Sequence, residues 1–262
     1  MVAARDVTDD TGTTVAVRGR IARVVSLVPS LTEALEVSSP GLVAGATDWC
    51  THPHDLDVAR VGGTKNPDVD AVLALAPDLV VANEEENRAT DLESLRSSGA
   101  VVWVTQVRYV DEGLLSLGRL LEVCGVGEPS WLGQARQVWS EPPQVRPGRR
   151  VRAVVPIWRR PWMALGHSTF AGDVLKRLGV DNVLAESPER YPRFSPDDLP
   201  EHDLVVLPDE PYAFTADDGP EALPHSDCAL VSGRHLTWYG PSLTEAASVL
   251  VAQLRDVVPR RP

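Results

Sequence analysis

The sequence predicts an α/β protein with two lobes, each built on a central and mainly parallel sheet. The phrase Asp-Leu-Val-Val occurs at residues 78–81 and again at residues 203–206, and an acidic loop follows each copy. A short, wholly apolar strand entered from a helix is typical of a buried parallel strand. Because open α/β sheets bind ligands beyond the carboxyl ends of their strands, the acidic loops predict a ligand cleft between the lobes.

Length and charge agree with this architecture and exclude some partners. The 262 residues suffice for one large domain or for two lobes of about 100 to 130 residues, and either can bury a core. With 25 Lys and Arg against 37 Asp and Glu, the formal charge is −12, so nucleic acid and anionic membranes are not expected partners. No segment approaches the roughly 20 apolar residues of a membrane helix, so no membrane insertion is expected.

The first lobe, residues 21–106, follows a polar N-terminal arm at residues 1–20. Continuous apolar runs predict its strands, at residues 23–28, 41–46, 78–82 and 100–105. Ser30 and Glu33 fit a capping box, with Ser30 as the N-cap, and predict the first helix. A strand-to-helix turn of this kind points backbone N–H groups and the Ser30 hydroxyl above the sheet. Proline and glycine punctuation predicts two more helices, at residues 68–76 and 88–98.

Residues 107–148 are predicted to link the lobes, and residues 149–262 to form the second lobe. The linking helices are predicted at residues 110–123 and 129–139. In the second lobe, apolar runs predict strands at residues 150–157, 180–184, 203–206 and 229–232. Helices are predicted at residues 170–178 and 243–256, and residues 158–169 and 233–241 are predicted as a loop and a turn. The repeat predicts a helix start at residues 195–198, ahead of the second apolar copy.

Aromatic residues are frequent in the predicted loops at strand ends. The chain has seven Trp but only three Phe. Six aromatic residues fall in these loops, namely Trp49, Trp158, Trp162, Tyr191, Trp238 and Tyr239. Each could be a lid on the core, but together they predict a wall for a large flat or apolar ligand. Arg159, between two of these tryptophans, could meet an anionic group or remain solvated.

Two polar loops complete the predicted ligand site. In the segment GGTKNP, two glycines let the backbone approach a ligand ahead of a polar triplet. The carboxylates of the segment NEEEN follow the first repeated strand, although they could equally form the first turn of the next helix. The candidate ligand contacts in these loops are Thr64, Lys65, Asn66, Glu84, Glu85 and Asn87.

Metal chemistry is the competing hypothesis. No catalytic or nucleotide-binding motif is present. Cys50, His52 and His54 lie close together in sequence, and His225 and Cys228 form a second weak group. Neither group has zinc-site spacing, so no metal site and no cofactor are predicted. A metal-dependent enzyme on a nitrogenase-like two-lobe scaffold would need both groups to converge, and a receptor for a bare ion would need several inward His, Asp or Glu side chains.

Three segments carry a resemblance to a known family: RVVSLVPSLTE, GGTKNPDVDAVLALAPDLVVA and FAGDVLKRLGVDNVLAE. With them, the chain resembles the helical-backbone (class III) periplasmic solute-binding proteins of ABC importers from about residue 7 to residue 257. The arm DVTDDTGTTVAV is similar to the β-hairpin with which many members begin. The resemblance is closest to vitamin B12-binding and ferric siderophore-binding components, and the group also includes haem receptors.

The resemblance implies two α/β lobes joined by a rigid linking helix, with a ligand between them that is delivered to a permease. Carried over by position, Ser30 and the loops named above would face the ligand. One acid per lobe, at the start of the helix before each repeated strand, would dock on the permease. These acids are Asp70, or neighbouring Asp68, and Asp197, or neighbouring Asp198.

The sequence therefore predicts a non-enzymatic, monomeric binding protein for a corrinoid, tetrapyrrole or metal chelate, such as cobalamin, haem or a ferric siderophore. The alternative is a cytoplasmic protein of the same fold that stores, senses or salvages such a ligand. The N-terminus as printed has no export signal, so a cytoplasmic location is expected if it is the native start. If a signal peptide has been removed, the resemblance implies an extracytoplasmic location.

Overall fold

The computed structural model describes residues 4–258, which divide into two units. Unit 1 contains the residues up to Gln106 together with Gly113–Gly133 and Tyr239–Pro241. Unit 2 contains Val107–Glu112, Gln134–Trp238 and the residues from Ser242 onward. The predicted N-terminal hairpin is confirmed, since strands β1 (Ala4–Thr8) and β2 (Thr14–Arg18) pair antiparallel.

Unit 1 is built on a parallel five-stranded sheet in the order β5-β4-β3-β8-β9. Its strands, with a small antiparallel pair β6 and β7, are β3 (Val24–Ser26), β4 (Val43–Ala46), β5 (Ala59–Arg60), β6 (Gly62–Gly63), β7 (Asn66–Pro67), β8 (Leu79–Asn83) and β9 (Val102–Thr105). Its helices are α1 (Pro29–Ser38), α2 (Val69–Ala74) and α3 (Ala89–Ser97). All four predicted strands and all three predicted helices are present, with shorter bounds.

Ser30 is not the N-cap that the capping-box pattern predicts. The helix α1 begins at Pro29, and Val28 takes the cap position with an extended backbone and no side-chain cap. A proline fits the first helical position because its missing N–H would have had no partner there. Ser30 therefore lies inside the first turn, buried, and its Oγ has no hydrogen-bond partner among the described residues.

Two helices follow the sheet of unit 1, α4 (Val110–Val123) and α5 (Ser130–Ser140). Both match the predicted linking helices to within a residue. The division between the units falls inside each helix, after Glu112 in α4 and after Gly133 in α5. At these two positions the chain passes from one unit to the other within a regular helix, and it also crosses after Gln106, Trp238 and Pro241, outside the helices.

Unit 2 is built on a five-stranded sheet in the order β13-β10-β14-β15-β16, parallel except for its last strand. Its strands, with an antiparallel hairpin of β11 and β12, are β10 (Val151–Val154), β11 (Pro156–Arg159), β12 (Trp162–Ala164), β13 (Val180–Asn182), β14 (Leu204–Pro208), β15 (Cys228–Val231) and β16 (Val257–Val258). Its helices are α6 (Phe170–Arg177), α7 (Gly233–Thr237) and α8 (Leu243–Arg255).

Three predictions for unit 2 are wrong in detail. The predicted loop at residues 158–169 begins as the β11–β12 hairpin, because the run of bulky residues pairs across Arg160 and Pro161. The predicted turn at residues 233–241 contains the short helix α7. The predicted helix start at residues 195–198 is only a turn, so the second copy of the repeat lacks the helix of the first.

The repeated Asp-Leu-Val-Val phrase has the same structural role in both units. In unit 1, the Asp78 carboxylate accepts hydrogen bonds from the N–H groups of Ala22 (2.8 Å) and Arg23 (2.9 Å), where the chain enters β3. In unit 2, the Asp203 carboxylate accepts one from the Arg152 N–H in β10, at 2.9 Å. Each aspartate therefore fixes the register of two central, neighbouring parallel strands at their amino ends.

Replacing Asp203 with alanine is expected to lower the free energy of unfolding by about 1 kcal/mol at pH 7, because the Arg152 N–H loses a charged acceptor. This hydrogen bond, with nearby arginines, holds the pKa of Asp203 below its ordinary value. A carboxyl pKa lowered by folding gives stability that is present above the unfolded pKa and is lost as pH falls through the folded pKa. Urea unfolding should therefore show a difference from wild type that shrinks as pH falls below the ordinary aspartate pKa of about 3.9.

Glu201→Ala is the matched control. The Glu201 side chain is 88% exposed and pairs with the Arg152 side chain at 3.0 Å. An exposed ion pair of this kind contributes little, so the variant should lose less than about 0.5 kcal/mol. A destabilisation by Asp203→Ala that stayed constant down to pH 2 would show that the ionised carboxylate is not the cause.

Candidate functional site

The order of the strands locates a candidate ligand-binding face on each unit. In unit 1, the chain leaves β3 toward β4 on one side and returns at β8 on the other. In unit 2, β10 likewise lies between β13 and β14. Open α/β sheets bind ligands at such switch points, beyond the carboxyl ends of the strands. We call these regions the unit 1 face (Trp49 and residues 63–66 and 84–86) and the unit 2 face (residues 158–160 and 209–212).

An exposed indole is the main apolar feature of the unit 1 face. Trp49 follows β4 and is 66% exposed. It packs beside the GGTKNP segment, since a Cβ at Gly63 would lie 3.6 Å from Trp49 Nε1 and 2.7 Å from Asn66 Oδ1. A side chain at Gly63 would require the Asn66 carboxamide to move. The structure therefore places Trp49 and Asn66, predicted from separate segments, against the same glycine.

Asn83, at the end of β8, shapes the acidic turn that follows it. Its Oδ1 accepts hydrogen bonds from the N–H groups of Glu85 (2.8 Å) and Glu86 (3.2 Å). The carboxylates of residues 84–86 therefore lie in a turn ahead of α3, which begins at Ala89, and not in the first turn of that helix. The Lys65 ammonium donates to the Glu85 carbonyl oxygen, which joins the two predicted polar loops.

Asn87 and Tyr239, two predicted ligand contacts, lie buried beneath the unit 1 face. Asn87 Nδ2 donates to the carbonyl oxygens of Leu27 (3.2 Å) and Thr64 (2.9 Å). The Tyr239 hydroxyl lies 2.9 Å from Asn83 Nδ2 and 2.8 Å from Thr105 Oγ1. Burial raises the pKa of Tyr239, so the phenol remains protonated. In this structure both side chains support the loops that reach the surface.

The unit 2 face is a cluster of aromatic rings on the β11–β12 hairpin. Trp158 is 42% exposed, and its ring meets the edge of Tyr212 at a centroid distance of 5.6 Å and an angle of 80°. Trp162 lies behind, half-buried, stacked on Phe214 at 5.9 Å and tilted against Phe194 at 5.5 Å. Trp158 is thus a surface ring, whereas Trp162 is part of the core beneath it.

Tyr212, Phe194 and Phe214 were missed by the sequence analysis. The sequence could have indicated Tyr212 and Phe214 as site residues, because both follow β14 at the switch point. In the segment PYAF they are two residues apart, so an extended chain places both on the same side. Phe194 pairs with Trp162 only through folding, and its local sequence carries no such signal.

Tyr191 lies in a second polar and aromatic region of unit 2. The Arg190 guanidinium is 5.8 Å from the centre of the Tyr191 ring, and its Nη2 donates to the Ser168 carbonyl oxygen at 2.9 Å. Tyr109, which is 42% exposed, places its hydroxyl 3.4 Å from Ser168 Oγ. The structure thus gives Tyr191 a neighbouring cation and places Tyr109, which the sequence analysis did not select, in the same region.

Glu210 brings a carboxyl group to the carboxyl end of β14. Its Oε2 accepts a hydrogen bond from Trp238 Nε1 at 2.9 Å. Burial raises the pKa of Glu210, and the neighbouring Asp209 carboxylate acts in the same direction. Trp238 is buried, so its indole serves this hydrogen bond and the core, and not the surface. The acidic loop of the second repeat is therefore partly ordered by the tryptophan that follows α7.

Among the described residues, those of the competing metal hypothesis do not form a metal-binding group. Within residues 4–258, no group of three or more His, Cys, Asp or Glu side chains is arranged to hold a metal ion. The rings of His52 and His54 are 4.3 Å apart. Cys50 is buried beside the hydroxyls of Thr32 (3.0 Å) and Thr47 (3.2 Å), and burial raises its pKa.

The two predicted docking acids differ in their local structure. Asp70 is exposed in the first turn of α2, and Asp68 caps that helix by accepting a hydrogen bond from the Ala71 N–H at 2.9 Å. Asp197 is also exposed, but it lies in a turn with Asp198 close by and has no helix behind it. The expectation of a helix start therefore holds for Asp70 and is wrong for Asp197. No helix in the described part of the chain is long and apolar enough to cross a membrane.

No model of a known protein family matches the chain. It is 24% identical over 178 residues to the vitamin B12-binding protein of Vibrio cholerae, a match that covers 66% of this chain and 64% of that protein. The chain therefore matches slightly less than two thirds of that relative's length. It is 22% identical over 260 residues to the vitamin B12-binding protein of Pectobacterium carotovorum, covering 90% of each.

Solved structures resemble the chain over nearly its whole length. The periplasmic vitamin B12-binding protein BtuF of Vibrio cholerae has a TM-score of 0.71 and 16% identity, with 90% of this chain and 97% of that chain covered. The periplasmic haem-binding protein RhuT of Roseiflexus has a TM-score of 0.75 and 18% identity, with coverage of 91% and 99%. CeuE of Helicobacter pylori has a TM-score of 0.76 and 12% identity, with coverage of 96% and 88%.

These similarities confirm the predicted α/β fold and the resemblance to class III periplasmic binding proteins. The similar proteins whose names state a function are binding proteins and not enzymes, which agrees with the prediction of a non-enzymatic chain.

Proposed function

From the class III binding-protein fold, we propose that this chain binds a corrinoid, tetrapyrrole or other metal chelate and presents it to an ABC importer. The observation that carries this proposal is the exposure of one indole on each face. Trp49 is 66% exposed and follows β4, and Trp158 is 42% exposed and lies on the β11–β12 hairpin that follows β10. Exposed tryptophan is costly in water, and flat, largely apolar ligands are the partners that indole rings bind best.

The polar groups around the indoles are better suited to orienting a bound ligand than to catalysing a reaction. On the unit 1 face, the acidic turn and Lys65 are held by hydrogen bonds to main-chain atoms, so little has to be ordered when a ligand binds. Preformed faces of this kind raise affinity because the entropic cost of binding is lower. The names of the relatives support a vitamin B12-like or haem-like ligand, and titration with three chelates distinguishes these from a ferric siderophore.

Delivery to a permease and an extracytoplasmic location are part of the same proposal. They are supported by the periplasmic location stated for the similar solved structures. Asp70, exposed on α2, is the stronger of the two docking candidates because a helix fixes its position. Asp197 remains a docking candidate because it lies ahead of the second repeated strand. Storage or salvage of the same ligand inside the cell is the alternative, and it would need neither acid.

The ligand class is tested by titrating the purified chain with three chelates: cyanocobalamin, haemin and ferrioxamine B. Because Trp49 and Trp158 are exposed, a chelate that packs on them should quench tryptophan fluorescence in a saturable manner, with a Kd of about 1 µM or lower. Free tryptophan amide at the same absorbance corrects for inner-filter quenching. If none of the three gives saturable quenching, the chelate proposal is wrong.

A further inference from the structure

Arg159 joins two parts of unit 2 that are distant in sequence. It lies on β11 just before the hairpin turn, with 15% of its side chain exposed. Its Nη1 forms an ion pair with Asp218, and its Nη2 donates to the Glu221 carboxylate. Both acids belong to residues 212–223, which follow β14 and which we call the strap. The guanidinium therefore fastens the strap to the hairpin.

The same ion pair reaches the exposed rings of the unit 2 face through one carboxylate. Asp218 Oδ2 accepts a hydrogen bond from the Tyr212 hydroxyl at 2.7 Å. The Tyr212 ring in turn contacts the edge of Trp158. On its other side, Trp158 Nε1 donates to the Arg160 carbonyl oxygen at 3.1 Å. Arg159 thus acts on Tyr212 through Asp218, and Tyr212 acts on Trp158.

The charge of Arg159 is already matched within unit 2. Burial acts to raise the pKa of Glu221, but hydrogen bonds from the Gly219 N–H (2.6 Å) and from Arg159 outweigh it and hold the pKa below its ordinary value. Glu221 is therefore ionised at neutral pH, and with Asp218 it sets two carboxylates against one guanidinium. An anionic ligand group that approached Arg159 would have to displace these carboxylates or face their repulsion.

We propose that Arg159 is a positioning residue that holds Tyr212 and Trp158 in the geometry that accepts a ligand, and that it makes no direct contact with an anionic group. The part of the ligand that meets the unit 2 face is then an uncharged ring surface. This inference rests on the proposed function for its consequence in binding, but the clamp itself is a property of unit 2. It reverses the sequence expectation that Arg159 contacts the ligand.

Asp218→Asn separates the two roles of Arg159. If Arg159 clamps the strap, both Arg159→Gln and Asp218→Asn should weaken binding of haemin, whose propionates are anionic, and of dicyanocobinamide, a corrinoid that lacks the anionic phosphodiester of cyanocobalamin, by about tenfold or more. The double variant should be little weaker than Arg159→Gln alone, because Arg159→Gln already removes the ion pair with Asp218. If Arg159 instead contacts an anion, Arg159→Gln should weaken haemin alone, and Asp218→Asn should strengthen haemin by freeing the guanidinium. That second pattern would overturn the proposal.

Near-UV circular dichroism tests the clamp without any ligand. Both variants should lose the aromatic signal of Trp158 and Tyr212 while keeping wild-type far-UV spectra, and Arg159→Lys should recover part of it. An unchanged near-UV spectrum in folded Arg159→Gln would overturn the clamp whether or not a chelate binds. If the signal changes but no chelate binds the wild type, the proposed function fails and the clamp stands.

Arg150→Gln is the matched control for both measurements. Arg150 makes a bidentate pair with Asp181 at 2.6 Å in the same unit, next to the amino end of β10 and away from the unit 2 face. The Arg150→Gln variant loses the same kind of ion pair and leaves the strap unchanged. It should keep wild-type affinity and a wild-type near-UV spectrum, and an equal loss in this variant would show that the effect is not specific to the clamp.

Discussion

Trp158→Ala is expected to weaken binding of the chelate by about 30-fold while leaving the fold intact. A buried aromatic anchor at an interface typically contributes about 2 kcal/mol, which corresponds to that factor. Trp158 already exposes 42% of its surface in the free protein, so its removal leaves no enclosed cavity. We expect a loss of less than about 1 kcal/mol in the free energy of unfolding. Fluorescence titration with the chelate that binds wild type measures the affinity.

Leu115→Ala is the control for this prediction. Leu115 lies on α4, outside both faces, and is 64% exposed. The substitution removes an exposed apolar side chain without removing a ligand contact, so chelate affinity should stay within about twofold of wild type. Equal affinities of wild type and Trp158→Ala, with all three chelates, would remove the unit 2 face from the binding site.

Gly166→Ala is expected to destabilise unit 2 by about 3 kcal/mol, because the added methyl group overpacks a closed site. A Cβ at this position would lie 2.1 Å from the Glu189 carbonyl oxygen, a main-chain atom that cannot rotate away. To make room, the segment must move and weaken the hydrogen bond from the Gly166 N–H to the Arg190 carbonyl oxygen, now 2.7 Å. Tyr191 lies in that segment, so chelate affinity should fall as well if Tyr191 faces the ligand.

Gly133→Ala makes the same chemical change with the opposite expected sign. Gly133 lies inside α5, where the nearest atom to a new Cβ is Glu128 Oε1 at 3.9 Å. Alanine is a better helix former than glycine, so this variant should gain about 0.5–1 kcal/mol. Urea unfolding of both variants compares the two sites. A gain in stability for Gly166→Ala would contradict the close packing at residues 189–192.

Much of the fold could be predicted because its signals are local. The apolar copies at residues 78–81 and 203–206 predict the central strands β8 and β14, and Gly99 correctly predicts the end of α3, where its φ is +87°. The repeat also predicts equivalent positions in two sheets, and Asp78 and Asp203 make equivalent hydrogen bonds. Apolar runs are sufficient to predict these strands because the strands are buried on both sides, and glycine or proline residues mark the helix ends.

The errors arise where pairing between distant segments decides the structure. The β11–β12 hairpin depends on cross-strand contacts, so the sequence presented it as a loop. Ser30 has a capping-box neighbour, but the helix starts at Pro29, two residues earlier than a cap at Ser30 would place it. Arg159 looked like a free cation between two tryptophans, because its partners Asp218 and Glu221 lie about 60 positions along the chain. Composition and spacing carry no information about such pairs.

A crystal structure of the chain grown with the chelate that binds most tightly is the most direct test of the central claim, that the exposed indoles form the ligand site. The account predicts the ring system of the chelate within about 4 Å of the Trp158 indole, with Arg159 still paired to Asp218. A chelate bound near the amino ends of the strands, or contacting neither Trp49 nor Trp158, would contradict it.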